Sequence, residues 1–186
     1  EKPKHKNLQK GDILLISKDF VYKESKRPLF VAVLRNWEED YWLFAPFSPY
    51  SEPATEKELK MECEDQSLRV LSLWNAHTTP SENLKNSWFI GKLCDSERKD
   101  ALSIFWYSLK MKELPKHLID RVGPKLIHSE DPRRDYIQEQ LRATELIRVS
   151  SIAHEEGETG SVEAGSLVSF FLWKEFLEKE EEKLAA

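Results

Sequence analysis

The chain has 186 residues, 40% of them hydrophobic and 33% charged, enough for one full domain or a compact domain with an appendage. A formal charge of −5 excludes a basic field over the whole surface, so a nucleic-acid role needs a local positive site. Cys63 and Cys94 are too few for a disulfide or zinc framework and point to a reducing compartment, and no stretch is apolar for long enough to span a bilayer.

Turn residues cut the first part of the chain into short strands. Residues 11–17 (GDILLIS) alternate after a glycine turn, and residues 29–35 (LFVAVLR) form the next run. Arg27 and Pro28 stand just before that run. Proline cannot donate to a sheet ladder and belongs at a strand's start or edge, which offers Arg27 at the strand mouth. Residues 41–47 (YWLFAPF) follow the polar turn NWEED; residues 68–74 (LRVLSLW) and 87–93 (SWFIGKL) complete the expected strands. Repeated short strands at tight spacing favour a small barrel over a sandwich.

The period then changes. Across residues 95–110, Asp95 is an N-cap candidate and Leu102, Phe105, Trp106 and Leu109 recur at helical spacing, which predicts an amphipathic helix. Beyond Leu114-Pro115, residues 116–122 read as a short helix stopped by Gly123-Pro124. In residues 131–149, Asp131 suits a cap and Pro132 the first helical position. An acidic, glycine-containing loop over residues 154–161 precedes a helix over residues 162–183, whose apolar face runs from Leu167 to Leu177. The expected fold is α+β: a small β-barrel with its helix over residues 1–113, and a helical extension over residues 114–186 that packs on the barrel or on a partner. With no signal peptide visible, the expected location is the cytoplasm.

Taken in order and spacing, GDILLI, KRPLFVAVL, LFAPFS, LSLWNAHTT and IGKLCDSERKDAL resemble the MazF/PemK family of toxin endoribonucleases over about residues 10–112. The matching features are the Gly11-Asp12 opening, Arg27-Pro28 before the second strand, Ser48 at the end of the third, and Gly91-Lys92-Leu93 before the helix. The resemblance implies an SH3-like barrel, a homodimer and an antitoxin-like protein partner. It also implies metal-independent cleavage of single-stranded RNA, without a cofactor, by attack of a 2′-hydroxyl on the adjacent phosphate. By family position, Arg27 is the catalytic guanidinium and Ser48 the catalytic hydroxyl. The chemistry has its own logic: a held guanidinium offers planar, permanently charged donors to phosphorane oxygens, and a hydroxyl donates without adding charge.

Ser48 stands where the family usually has threonine, and Pro49 where another small hydroxyl residue is common. The loop over residues 18–26 (KDFVYKESK) lacks the glycines the family carries there. Read without the resemblance, an arginine before a strand is an ordinary solvated or salt-bridged residue, and a loop serine an ordinary turn residue. The second functional expectation is therefore a catalytically silent barrel serving as a binding or assembly module. Lys26 beside Arg27 and Lys92 beside Gly91 are candidate phosphate contacts, and His77 is a candidate proton-transfer or loop histidine. Trp37, Tyr41 and Trp42 are candidates for stacking on unpaired bases, although alternation places at least one of them in the core. The histidines and cysteines show no ligand spacing, so no metal site is expected.

Overall fold

The computed structural model describes residues 7–18, 21, 27–38, 40–126 and 131–149. Its central feature is an antiparallel sheet of β1 (Asp12–Leu15), β2 (Phe30–Glu38), β3 (Tyr41–Pro46), β6 (His77–Pro80) and β7 (Trp88–Lys92), in the order β6-β3-β2-β1-β7. A two-stranded ribbon, β4 (Glu58–Lys60) with β5 (Val70–Ser72), stands beside it. The helices are α1 (Ser81–Lys85), α2 (Asp95–Ser108) and α3 (Arg133–Val149). The fold is α+β. Among the described residues the ladder from β6 to β7 does not close on itself.

Gly11 opens the sheet at φ 89°, in the left-handed region that glycine adopts without a steric penalty. Its amide donates to Val33 O at 2.7 Å, and its carbonyl accepts from Leu93 N at 2.8 Å. β2 is the buried centre: Val31, Ala32, Val33 and Leu34 have no exposed surface. Strand alternation sends Val31 and Val33 to one face, where they pack with Leu14, Phe44, Leu84 and Ile147. On the other side, α2 lies against β2 and carries the buried Ala101, Ile104 and Phe105.

Several expected elements start or stop elsewhere. The strand expected over residues 68–74 shortens to β5, because 3₁₀ turns at Gln66–Leu68 and Leu73–Asn75 bracket it. Asp95 is the first residue of α2 rather than its cap. Cys94 takes the cap with extended backbone, and Glu97 reaches back to its amide at 3.3 Å. α3 starts at Arg133, one residue later than expected, so Pro132 precedes it; Asp131 Oδ1 still accepts from Arg133 N at 3.0 Å. β4, β6 and α1 had no sequence reading.

By internal contacts the chain divides into Glu1–Arg148 and Val149–Ala186, so α3 up to Arg148 belongs with the strands. Its buried face is Tyr136, Gln140, Thr144 and Ile147. Thr144 Oγ1 donates to Asn75 Oδ1 at 3.2 Å, Asn75 Nδ2 donates to Gln140 O at 3.1 Å, and Thr79 Oγ1 and Asn83 Nδ2 each donate to Ile147 O at 3.0 Å. These last two bonds satisfy a carbonyl near the helix end, where intrahelical partners run out. The expected loop over residues 154–161, the helix over residues 162–183, and Lys26 lie outside the described residues. Among the described residues, no helix is long and apolar enough to cross a membrane.

Candidate functional site

The chain leaving β3 changes partners within two residues. Phe47 N still donates to Phe30 O at 2.9 Å, as an extension of the β2 ladder, while Phe47 also bridges to Leu71 and Ser48 N donates to Val70 O at 2.8 Å. This step from the large sheet onto the β4–β5 ribbon sets Ser48 near the chain entering β2. A cleft of about 1090 Å³ opens there. Arg27, Pro28 and Phe30 border it from the β2 entrance; Ser48 and Tyr50 from the β3 exit; Gln66 and Ser67 from the 3₁₀ turn. Asp135, Gln138, Glu139 and Arg142 of α3 form the facing wall. Arg27 and Ser48, the two expected catalytic residues, thus border one cavity.

Their surroundings differ sharply. Arg27 is exposed, whereas Ser48 is only 2% exposed. Pro49 has no amide proton, so Ser48 Oγ accepts from the next available donor, Tyr50 N, at 3.1 Å, closing a small turn. On its other side Ser48 Oγ lies 2.9 Å from Tyr136 Oη. Tyr136 Oη is also 2.5 Å from Glu58 Oε1. A carboxylate oxygen can only accept, so the single phenolic proton goes to Glu58, and the Ser48 hydroxyl donates to Tyr136 Oη.

Glu58, with no exposed surface, is the hub of this cluster. Its Oε1 also accepts from Ser72 Oγ at 3.0 Å and Trp74 Nε1 at 3.1 Å; its Oε2 accepts from Ala54 N at 2.6 Å and Thr55 N at 3.0 Å. A buried carboxylate so supplied with donors needs no countercharge. Burial, and then the adjacent Glu58 carboxylate, push the Tyr136 phenol far above its usual range. Tyr136 therefore stays protonated and bonded at neutral pH. Edge-on contacts with Tyr50 and Trp74, at centroid distances of 5.2 and 6.2 Å, hold its ring.

The remaining candidates lie elsewhere. His77 Nε2 is 3.0 Å from Asn75 Oδ1. The Asn75 amide nitrogen faces Gln140 O, so its oxygen faces the histidine, and His77 carries its proton on Nε2. That proton serves the β6–α3 junction and not the cleft. Lys92 Nζ donates to Gln9 Oε1 at 2.8 Å, at the far edge of the sheet. Trp37 stacks on Trp106 at 6.4 Å with the Arg35 guanidinium 5.4 Å from its ring, and Trp42 packs against the core. Tyr41 is exposed on β3 but does not border the cleft. Among the described residues, the exposed aromatic that does so is Tyr50, 48% exposed. Among the described residues, no group of three His, Cys, Asp or Glu side chains is placed to hold a metal ion.

Glu58 and Tyr136 escaped the sequence reading. Glu58 sits in a highly charged stretch, and Tyr136 starts a buried face made largely of polar residues, so hydrophobic periodicity marks neither. The one available signal was Tyr136 itself, an aromatic with a polar tip that needs a partner when buried. No protein-family profile matches the chain, and no curated protein is significantly similar to it in sequence.

Proposed function

We propose that this chain is a MazF/PemK-type barrel protein and that the Arg27–Ser48 cleft is its site for cleaving single-stranded RNA without a metal. The observation that carries this reading is the meeting of Arg27 and Ser48 at one cavity, although they are 21 residues apart in the chain. Arg27 stabilises the charge that develops on the phosphate as the 2′-hydroxyl attacks. Tyr50 offers an exposed ring for an unpaired base, and Gln66 offers an amide to base edges or phosphate. A homodimer belongs to the same reading; Trp88, Phe89 and Ile90, all exposed on edge strand β7, offer apolar surface suited to it. An antitoxin-like partner is the other protein expected to meet this unit.

The test is incubation of the full chain with mixed-sequence single-stranded RNA, with and without EDTA. Cleavage that persists in EDTA and falls about 10²–10³-fold in Arg27→Ala, the usual scale for a lost transition-state donor, is the expected result. Equal cleavage by Arg27→Ala, or cleavage stopped by EDTA, overturns the mechanism. A second reading is a catalytically silent binding module on the same barrel. It is favoured by one observation: the Ser48 hydroxyl is already engaged with Tyr136. Arg27-dependent RNA binding without any cleavage would select it.

A further inference from the structure

α3 is more than a neighbour of the cleft. Asp135, Gln138, Glu139 and Arg142 follow one another at the spacing of a single helix face, and that face borders the cavity rather than the core. The other face carries the buried Thr144 and Ile147, with Gln140 at the cavity's edge, and is fastened to Asn75, Thr79 and Asn83. The cleft-facing side is therefore held in place by the anchoring of the other. Among the described residues, the charged lining of the cavity consists of Arg27, Arg142, Asp135 and Glu139, two cations against two anions. Binding of a polyanion depends on uncompensated Lys and Arg. Here the two helix carboxylates offset both guanidinium groups. On the same helix, Tyr136 Oη accepts the hydrogen bond of the Ser48 hydroxyl.

We infer that α3 is a built-in inhibitory wall: its carboxylates oppose RNA phosphates in the cleft while Tyr136 ties up Ser48. The inference rests on the reading of this cleft as an RNA site. It names the form of control, an acidic helix face supplied by the same chain. The resting protein is then closed, and full RNA access requires α3 to lift or its cleft face to lose charge. Both carboxylates are on exposed residues, so neutralising them leaves the buried anchors of the helix untouched.

The experiment measures binding of a fluorescein-labelled single-stranded oligouridylate to the full chain at low salt. Four proteins are compared: the wild type, Asp135→Asn/Glu139→Gln, the same pair with Arg27→Ala, and Glu62→Gln/Glu64→Gln. Glu62 and Glu64 are exposed and do not border the cleft, so the last protein has the same net charge change without altering the wall. The expected result is about tenfold tighter binding by Asp135→Asn/Glu139→Gln, about 1.4 kcal/mol for the pair. That gain should be lost when Arg27→Ala is added and be absent from Glu62→Gln/Glu64→Gln. Unchanged affinity, or an equal gain in the control pair, overturns the inhibitory wall. If Arg27→Ala leaves affinity unaltered in every background, the RNA reading of the cleft itself fails, which is a different outcome.

Discussion

Replacing Glu58 by glutamine tests the polar hub without opening a cavity, because the two side chains have nearly the same volume. The carboxylate accepts from Tyr136, Ser72 and Trp74 on one oxygen and from the Ala54 and Thr55 amides on the other. Glutamine must turn an NH₂ group toward one of these two sets. Facing the backbone amides, which cannot rotate away, it orphans two donors at about 1–3 kcal/mol each. Facing the other set it meets two hydroxyls that can rotate to accept, and only the Trp74 indole N–H is left without an acceptor. The second orientation is cheaper and decides the result: about 2 kcal/mol of lost stability. With a urea m-value of about 2 kcal/mol/M, the midpoint of urea unfolding should fall by about 1 M. A shift below about 0.2 M would show that Glu58 does not organise the cluster and would remove the reason given for the placement of Ser48 and Tyr136.

Two glycines that look alike in sequence should behave oppositely. A Cβ at Gly123 would lie 2.5 Å from Pro53 O and 2.7 Å from Thr55 N, both backbone, so Gly123→Ala should cost about 2 kcal/mol in urea unfolding. A Cβ at Gly91 meets nothing within 4 Å, so Gly91→Ala should be nearly neutral; equal effects would contradict the packing of the 53–55 loop. The raised Tyr136 phenol gives a pH signature. The folded chain keeps that proton where the unfolded chain releases it, so stability falls as pH rises above about 10. Tyr136→Phe should remove part of that fall, leaving the part due to Tyr107, whose phenol is also raised by burial and by Glu56; an unchanged slope would contradict the buried bond to Glu58.

What the sequence made legible was whatever depended on local pattern. The apolar runs of β1, β2 and β3 and the helical spacing around Phe105 carry their own signals, and each became the element expected. At α2 the buried stripe also includes Ala101 and Ile104, and the cap moved by one residue to Cys94, a shift of the size that fraying helix ends allow. β4 and β6 are three and four residues long and largely polar, too short for alternation to show. Arg27 and Ser48 could be singled out only by ordered motifs, since neither residue type is unusual where it stands. Glu58 was illegible for a different reason. The amides at residues 54–55 are local, but its other partners, Ser72, Trp74 and Tyr136, are brought to it from 14, 16 and 78 residues away, so its burial is a property of the assembled fold.

Cross-linking locates RNA on the protein without relying on turnover. A 4-thiouridine-containing single-stranded RNA is irradiated with the full-length Asp135→Asn/Glu139→Gln protein, and the attached peptides are identified by mass spectrometry. Among the described residues, Tyr50 is the exposed aromatic bordering the cleft, so adducts are expected on the peptide containing Tyr50 and should be lost on adding Arg27→Ala. Adducts confined to the exposed Trp88–Ile90 segment of β7, or adducts at Tyr50 that persist without Arg27, would contradict the assignment of this cleft to RNA.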